Sequence, residues 1–540
     1  MTVLATRLST HSDSYRANRA DMLAMLADVR AAEAHIERHS DLRRPVFEQR
    51  GQLHPRDRVA LLLDRASPFL EFSTLVGWGL HGEVGDHSGS GEQATGGATI
   101  SGMGLVRGVR CIVVAHDSGI KGGAITPMGM KKQIRAQQIA IENKLPVIYL
   151  VESAGGSMPH QADTFVEGGA MFRNQARLSA MGVPQIAVVH GSSTAGGAYL
   201  PGLSDYLIMV RGGGKVFLAG PPLLKAATGE IASDEELGGA VMHTSVSGVA
   251  DYLAEDDADG IAKARELIGR LHWPQAELSG GSAPKHDPDE LAGVVPVDFR
   301  KPYDVREVIA RIVDGSDFTE FKQDYGAATV CGQAELMGLP VALIGNNGPI
   351  DADGAVKAAQ FIQLMCQAGT AIVYLQNITG FMVGREAERA GIVKHGAKMI
   401  QAVANATVPQ ITLYLGASFG AGHYGMCGRA FEPRFAFAWP SNRVAVMGGE
   451  QAARVMSTIA RDRAEREGRA ADEAKLARQE ARLIEQFAHE STALFATGRL
   501  WDDGIIDPRD TRRVLGFCLG ACVDAGRRSL HANTFGVARL

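Results

Sequence analysis

Two stretches of small residues stand where main-chain amides could do chemistry. One is Gly191-Ser192-Ser193-Thr194-Ala195-Gly196-Gly197-Ala198, the other Gly416-Ala417-Ser418-Phe419-Gly420-Ala421-Gly422-His423. Each follows an apolar run and leads into a helix-forming segment. Glycine and alanine leave the backbone open to close approach by a ligand. The first N–H groups of a helix have no internal partner and carry the positive end of its dipole. Such a place suits an oxygen that gains negative charge, for example a thioester oxygen becoming an enolate. Tight packing of helix on strand would ask for the same small residues, but the recurrence of the pattern at corresponding places favours chemistry.

A second pair of loops puts glycine at strand ends: Glu152-Ser153-Ala154-Gly155-Gly156 and Asn377-Ile378-Thr379-Gly380-Phe381. Upstream, Lys121-Gly122-Gly123 is followed by Lys131, Lys132 and Arg135, a group of cations suited to phosphates or equally to a solvated helix face. Other motifs fail on their own chemistry. Arg211-Gly212-Gly213-Gly214-Lys215 is followed by Val216 rather than Ser or Thr and lacks P-loop spacing. Gly416-Ala417-Ser418-Phe419-Gly420 matches the GxSxG nucleophile elbow, which would make Ser418 a hydrolase nucleophile with His423 or His395 as base. Against this, Ser193 at the repeat-equivalent place is followed by Ala195 where the final glycine should stand. A third reading is a non-catalytic scaffold that docks a partner subunit. His190 and His423 flank the glycine loops without a carboxylate or cysteine at metal-ligand spacing, so no metal is expected.

The elements that must position these loops form a long internal repeat. Val183-Pro184-Gln185-Ile186 recurs as Val408-Pro409-Gln410-Ile411, an offset of 225 residues (408 − 183). The same offset aligns residues 147–150 with 372–375, and the helical stretches 132–143 with 357–368. Residues 102–117 resemble 332–347 at an offset of 230 (332 − 102), one five-residue indel away. Apolar strands are predicted at 110–115, 146–151 and 185–189, and again at 341–345, 371–375 and 410–415. Short buried strands alternating with helices predict α/β units with crossover connections, and the period is far too long for a solenoid. Two homologous domains of one fold are expected, residues 1–272 and 289–540, joined by a Pro-, Gly- and Ser-rich linker at 273–288. The charged, Ala-rich stretch 450–500 predicts a solvated helix pair.

Composition agrees. The 540 residues carry a formal net charge of -5, from 55 Lys+Arg and 60 Asp+Glu, with no basic bias of the kind nucleic-acid binding asks for. The six cysteines are scattered without a CxxC pair, which argues against a zinc ribbon. Cys518 and Cys522, at helical spacing in an apolar run, read as core. Reduced thiols and a cytoplasmic location are expected. The first twenty residues lack the apolar segment of a secretory signal, and no run of about 18 apolar residues predicts a membrane span.

Longer strings carry a resemblance. Thr194-Ala195-Gly196-Gly197-Ala198-Tyr199, the segment from Phe217 to Glu230, Asn377-Ile378-Thr379-Gly380-Phe381-Met382-Val383-Gly384, Tyr424-Gly425-Met426-Cys427-Gly428-Arg429 and Val446-Met447-Gly448-Gly449-Glu450-Gln451 resemble the β subunit of methylcrotonyl-CoA and geranyl-CoA carboxylases, which are biotin-dependent acyl-CoA carboxylases. The likeness runs from about residue 12 to the C-terminus. It implies a duplicated crotonase-like α/β fold, with acyl-CoA bound mainly by the first domain and biotin mainly by the second. By position, Gly196 and Gly197 resemble the donors to the acyl-CoA carbonyl, with Lys121, Gly122, Gly123, Ala154 and Gly155 on the acyl-CoA side. Gly420, Ala421 and Gly422 resemble the donors to the biotin ureido oxygen, with Thr379, Gly380, Phe381, Ser418 and Phe419 on the biotin side. The implied mechanism has carboxybiotin release CO₂ beside the acyl-CoA and then take the substrate proton, so no side-chain base is required. The partner it implies is a separate alpha subunit holding biotin carboxylase and biotin carrier, since Met128-Gly129-Met130-Lys131-Lys132 is no biotinylation motif. A homohexamer of this chain within an alpha6beta6 complex is the implied assembly. Residues 190–194, 201–206 and 346–350 look more like geranyl-CoA carboxylase, and residues 448–453 more like the methylcrotonyl enzyme. Ala154 stands where both usually have glycine, which puts the conformation of its loop in question.

Overall fold

The computed structural model describes residues 3–80, 95–157, 160–273 and 280–538; linker residues 274–279 lie outside this set. The first sheet consists of β1 (Phe69–Glu71), β2 (Thr99–Val106), β3 (Val109–His116), β4 (Val147–Ser153), β5 (Gln185–Thr194), β6 (Tyr206–Val210), β7 (Lys215–Phe217) and β8 (Tyr252–Ala254). Its order is β1-β2-β3-β4-β5-β6-β8, with β7 beside β5. The second consists of β9 (Thr319–Glu320), β10 (Thr329–Leu336), β11 (Leu339–Asn346), β12 (Ile372–Ile378), β13 (Gln410–Phe419), β14 (Phe435–Ala438) and β15 (Arg443–Ala445). Here the order is β14-β13-β12-β11-β10-β9, with β15 beside β13.

The repeat read from the sequence is a repeat of hydrogen-bond register. Ile112 lies opposite Val147 and Val147 opposite Gln185 in the first sheet. Ala342 lies opposite Ile372 and Ile372 opposite Gln410 in the second. These pairs keep the offsets of 230 (342 − 112) and 225 (372 − 147; 410 − 185). The helices crossing between parallel strands, Pro127–Asn143 and Ala352–Ala368, are bounded alike. Thr126 caps the first by accepting from the Gly129 amide, and Asp351 caps the second by accepting from Gly354. Both end on a left-handed residue, Lys144 and Gly369.

Strands β2 and β10 were not among the strands expected from apolar runs. They pair antiparallel with β3 and β11, and with the short β1 and β9 outside them. Glycines break their apolar pattern for a packing reason. A Cβ on Gly102 would lie 2.6 Å from the Leu70 carbonyl, and one on Gly332 would lie 2.4 Å from the Phe318 ring.

The chain divides into two compact units that are not contiguous in sequence. One comprises Met1–Val29, Glu277–Thr497 and Trp501–Cys522; the other comprises Arg30–Ala276, Gly498–Leu500 and Val523–Leu540. By compactness the N-terminal residues group with the second sheet and the C-terminal residues with the first. The N-terminal residues belong with the second sheet because the Tyr15 ring fills the space over Gly293 and Thr6 donates to Glu307 at 2.6 Å. The C-terminal residues belong with the first, where Arg110 pairs with the buried Asp524 and Arg528 donates to the Lys144 carbonyl at 2.7 Å. The stretch 450–500 forms the expected helix pair, Gly449–Arg466 and Glu473–Glu490. Cys518 and Cys522 are buried. Among the described residues no helix is long and apolar enough to cross a membrane.

The unit built on the first sheet is tied at its centre by buried charges. Arg58 donates from Nη1 to Glu152 at 2.6 Å and from Nε to Asp257 at 3.1 Å. Asp257 also accepts from His190 Nδ1 at 2.7 Å and from the Leu53 amide at 2.7 Å. Burial and the Arg58 charge push His190 below its usual range, against the opposing pull of the Asp257 carboxylate. Burial alone would raise the Asp257 carboxyl; the His190 hydrogen bond and the Arg58 charge outweigh it and hold the group low. Removing one member of such a set leaves the others charged and buried. Arg58→Met is therefore expected to destabilise the unit by about 3–5 kcal/mol, read as a lowered midpoint of urea unfolding. An unchanged midpoint would mean the network contributes nothing net.

Candidate functional site

The loops flagged by small residues meet where two parallel strands part. Pairing of β4 with β5 runs to Val151–Val189 and resumes at Ser153–Ser193, so one residue, Glu152, faces the three of His190-Gly191-Ser192. In the second sheet Asn377 faces Leu415-Gly416-Ala417 in the same way, between Gln376–Tyr414 and Ile378–Ser418. The side chain at the short side fills the bulge. A Cβ on Gly191 would lie 2.5 Å from Glu152 Cγ, and one on Gly416 would lie 2.7 Å from Asn377 Oδ1. Asn377 Oδ1 also accepts from the Ala417 amide at 2.9 Å.

Beyond each bulge the strand ends in a residue of positive φ, Ala195 at 52° and Gly420 at 56°, again 225 apart (420 − 195). Each opens a short helical turn, Ala195–Ala198 and Gly420–Gly425. The left-handed region costs a residue with a Cβ roughly 1–2 kcal/mol, so Ala195 is held there by its surroundings. Beneath it, Ser193 Oγ donates to the Gly197 carbonyl at 2.9 Å.

The second pair of loops lies against these turns. A Cβ on Gly197 would sit 3.7 Å from Gly155 Cα, and one on Gly422 would sit 3.0 Å from Gly380 Cα. Each loop is pinned from below. The Ile125 amide donates to Gly155 O at 2.9 Å, and Ile350 donates to Gly380 O at 3.2 Å. Gly196 is open, with nothing within 4 Å of its added Cβ, and Ala421 is exposed. The structure thus brings Gly196 and Gly197 beside Ala154 and Gly155, and Gly420, Ala421 and Gly422 beside Thr379, Gly380 and Phe381. Ala154 keeps a negative φ and puts its methyl into open space facing Gly122, so it strains nothing in the loop.

A cavity opens at the strand ends in each unit. In the first unit, about 1360 Å³ is lined by Lys121, Gly122, Glu152, Ser153, Ala154, Gly191 and Ser192, with Arg43, Arg50, Arg211 and Lys215 as further cations. In the second, about 730 Å³ is lined by Thr379, Phe419, Phe299, Arg443, Ala445 and Met447, among others. Arg43, Arg50, Phe299 and Arg443 escaped the sequence reading, since each lies outside any small-residue pattern.

Other flagged residues have structural work. Gly123 is buried with φ +70°, and a Cβ there would lie 2.2 Å from the Glu152 carbonyl. Lys132 is a correction to the cation group: it is buried, donates to the Thr99 carbonyl at 2.6 Å, and is pushed down to about 8 by desolvation. The Phe381 ring packs against Gly396 and Gly425. Ser418 is fully buried and donates to Gln376 Oε1 at 2.5 Å, with His423 Nδ1 2.7 Å away. His423 stacks on Tyr414, is pushed down to about 4 by burial, and has no carboxylate partner. A serine without access to substrate and a base without an orienting acid do not make a hydrolase triad.

Comparison with known proteins agrees with this geometry. Residues 47–537 match the carboxyl transferase domain family. The chain is 47% identical over 554 residues, covering all of both chains, to the probable biotin-dependent acyl-coenzyme A carboxylase beta2 subunit of Mycobacterium tuberculosis. It is 46% identical to the probable mitochondrial methylcrotonoyl-CoA carboxylase beta chain of Drosophila melanogaster, covering 100% of this chain and 95% of that one. The crystal structure of the P. aeruginosa geranyl-CoA carboxylase beta subunit superposes with a TM-score of 0.92 at 51% identity over the full length of both. That likeness carries the expected duplicated crotonase-like fold. A chain matched along its whole length in both sequence and fold belongs to the carboxyltransferase beta subunits of biotin-dependent acyl-CoA carboxylases.

Proposed function

We propose that the chain transfers a carboxyl group from carboxybiotin to the γ carbon of a branched 2-enoyl-CoA, with geranyl-CoA the preferred acceptor and 3-methylcrotonyl-CoA or another acyl-CoA, propionyl- or acetyl-CoA, the alternative. The observation that carries this reading is the same device at the same register in both units: a left-handed residue opening a small-residue turn against a glycine loop. Two such devices suit two oxygens that gain negative charge. The amides of Gly196 and Gly197 serve the acceptor's thioester oxygen. Those at Ala421, with Gly420 and Gly422 shaping the turn, serve the biotin ureido oxygen. Donors fixed in advance where charge develops lower a barrier by about 3–4 kcal/mol each.

The cavity of the first unit receives the acyl-CoA, its cations Lys121, Arg43 and Arg50 meeting CoA phosphates while Gly122, Ala154 and Gly155 border the acyl end. The cavity of the second unit receives biotin along Thr379 and Phe419, with Gly380 and Phe381 forming the facing loop. Small residues and main-chain donors fit a flat, uncharged ureido ring. When bound, carboxybiotin supplies the carboxyl group for the new C–C bond, and the nitrogen it leaves takes the γ proton. The chain binds, orients and stabilises, so the burial of Ser418 and His423 is no obstacle. An alpha subunit supplies biotin and its ATP-driven carboxylation, a homohexamer of this chain within an alpha6beta6 complex is the assembly, and the location is cytoplasmic, in keeping with six unbridged cysteines. Geranyl-CoA is named first because residues 190–194, 201–206 and 346–350 resemble that enzyme and identity to it is 51%, against 46–48% to the methylcrotonoyl-CoA enzymes of Drosophila and Dictyostelium.

Two measurements test this. With its alpha subunit, the chain should fix bicarbonate on geranyl-CoA with a higher kcat/KM than on methylcrotonyl-, propionyl- or acetyl-CoA; fixation on none of them would remove the assignment. Gly197→Val should fold, since its Cβ meets nothing nearer than 3.6 Å, yet lose transfer on the order of 10²–10³-fold. Near-normal turnover in that variant would show that this turn holds no reacting oxygen.

A further inference from the structure

The cations lining the second unit's cavity differ in how they are satisfied. Arg300 bonds Asp298 at 2.9 Å and lies 3.5 Å from Glu450, and Lys301 is exposed. Asp21, also on the wall, is exposed. Arg443 is partly buried, forms no ion pair among the described residues, and donates from Nη1 to the Ala488 carbonyl at 2.8 Å. Burial pushes its guanidinium below the usual range.

Its place in the sheet is telling. Arg443 on β15 lies opposite Ala417, the last residue of the bulge. At the matching register in the first unit, Lys215 on β7 lies opposite Ser192 and lines that unit's cavity. Lys215 is neutralised internally by Asp234 at 3.3 Å; Arg443 is not. The strand ends at Ala445, opposite Phe419, and the chain runs on past Met447; Ala445 and Met447 both line the cavity, and the Val446 carbonyl lies 3.0 Å from a Cβ placed on Gly420. The cation therefore stands on the strand that flanks the turn Gly420–Gly425.

We propose that Arg443 binds the carboxylate of carboxybiotin and so distinguishes the loaded donor from spent biotin. This rests on the carboxyl-transfer reading above. A partly desolvated guanidinium facing a cavity takes a planar anion through paired N–H···O bonds. Carboxybiotin carries such an anion next to its ureido ring, and biotin after transfer does not. Arg443 thus holds the donor and loses its hold on the product.

The test uses the purified chain with two free probes: enzymatically carboxylated biocytin as donor in the forward direction, and biocytin as acceptor in the reverse direction. Arg443→Met should raise KM for carboxybiocytin about tenfold or more while changing KM for biocytin less than about twofold. Arg443→Lys should recover part of the loss, and serves in place of Arg443→Met if that variant does not fold. Equal changes in both KM values would make Arg443 a wall residue, and no change in either would remove it from the site; both overturn the proposal. If the unaltered chain transfers with neither probe, the carboxyl-transfer reading itself fails.

Discussion

Each unit depends on a one-against-three mismatch between neighbouring parallel strands. The sheet cannot close over it, because three residues on β5 or β13 must pass a single residue on β4 or β12. The excess can be accommodated only if the long side carries glycine and the short side carries a polar side chain that fills the gap. Gly191 with Glu152 and Gly416 with Asn377 are those pairs. The bulge swings the strand ends so that the terminal turn and the neighbouring glycine loop come together. A regular ladder would keep the backbone amides of both segments engaged in sheet pairing.

The units solve the same geometric problem with different chemistry. Glu152 brings a charge that needs Arg58, and Arg58 in turn needs Asp257 and His190. Asn377 is neutral, and the position equivalent to His190 is Leu415 (415 − 190 = 225), so nothing of the kind is built there. Breaking a buried charge set is costly, whereas a neutral amide bonded to the Ala417 amide asks for one partner. The same turn thus rests on an ionic base in one unit and on a neutral amide in the other.

Much of this was legible in the sequence because parallel registers translate directly into a fixed offset. The Val-Pro-Gln-Ile repeat and the matching helices placed six core strands and both turns. What stayed hidden depends on partners far apart in the chain. His190 looks solitary in the sequence because Asp257 lies 67 residues away, and nothing beside Arg443 in the sequence marks it as a cavity residue. Lys132 was grouped with Lys131 by adjacency, although a helix turns consecutive residues to different faces, and carbonyls from before and within β2 draw its ammonium inward.

Duplication also bears on how such a protein can change over generations. Because each turn is shaped by its own bulge, filled by its own side chain, substitutions at Glu152 or Asn377 act on one half without being mirrored in the other. A lineage can drift at the plug of one half while the fold and the opposite half stay under separate selection. Two copies of one bulge therefore serve as two independent adjustments, each confined to the unit that carries it.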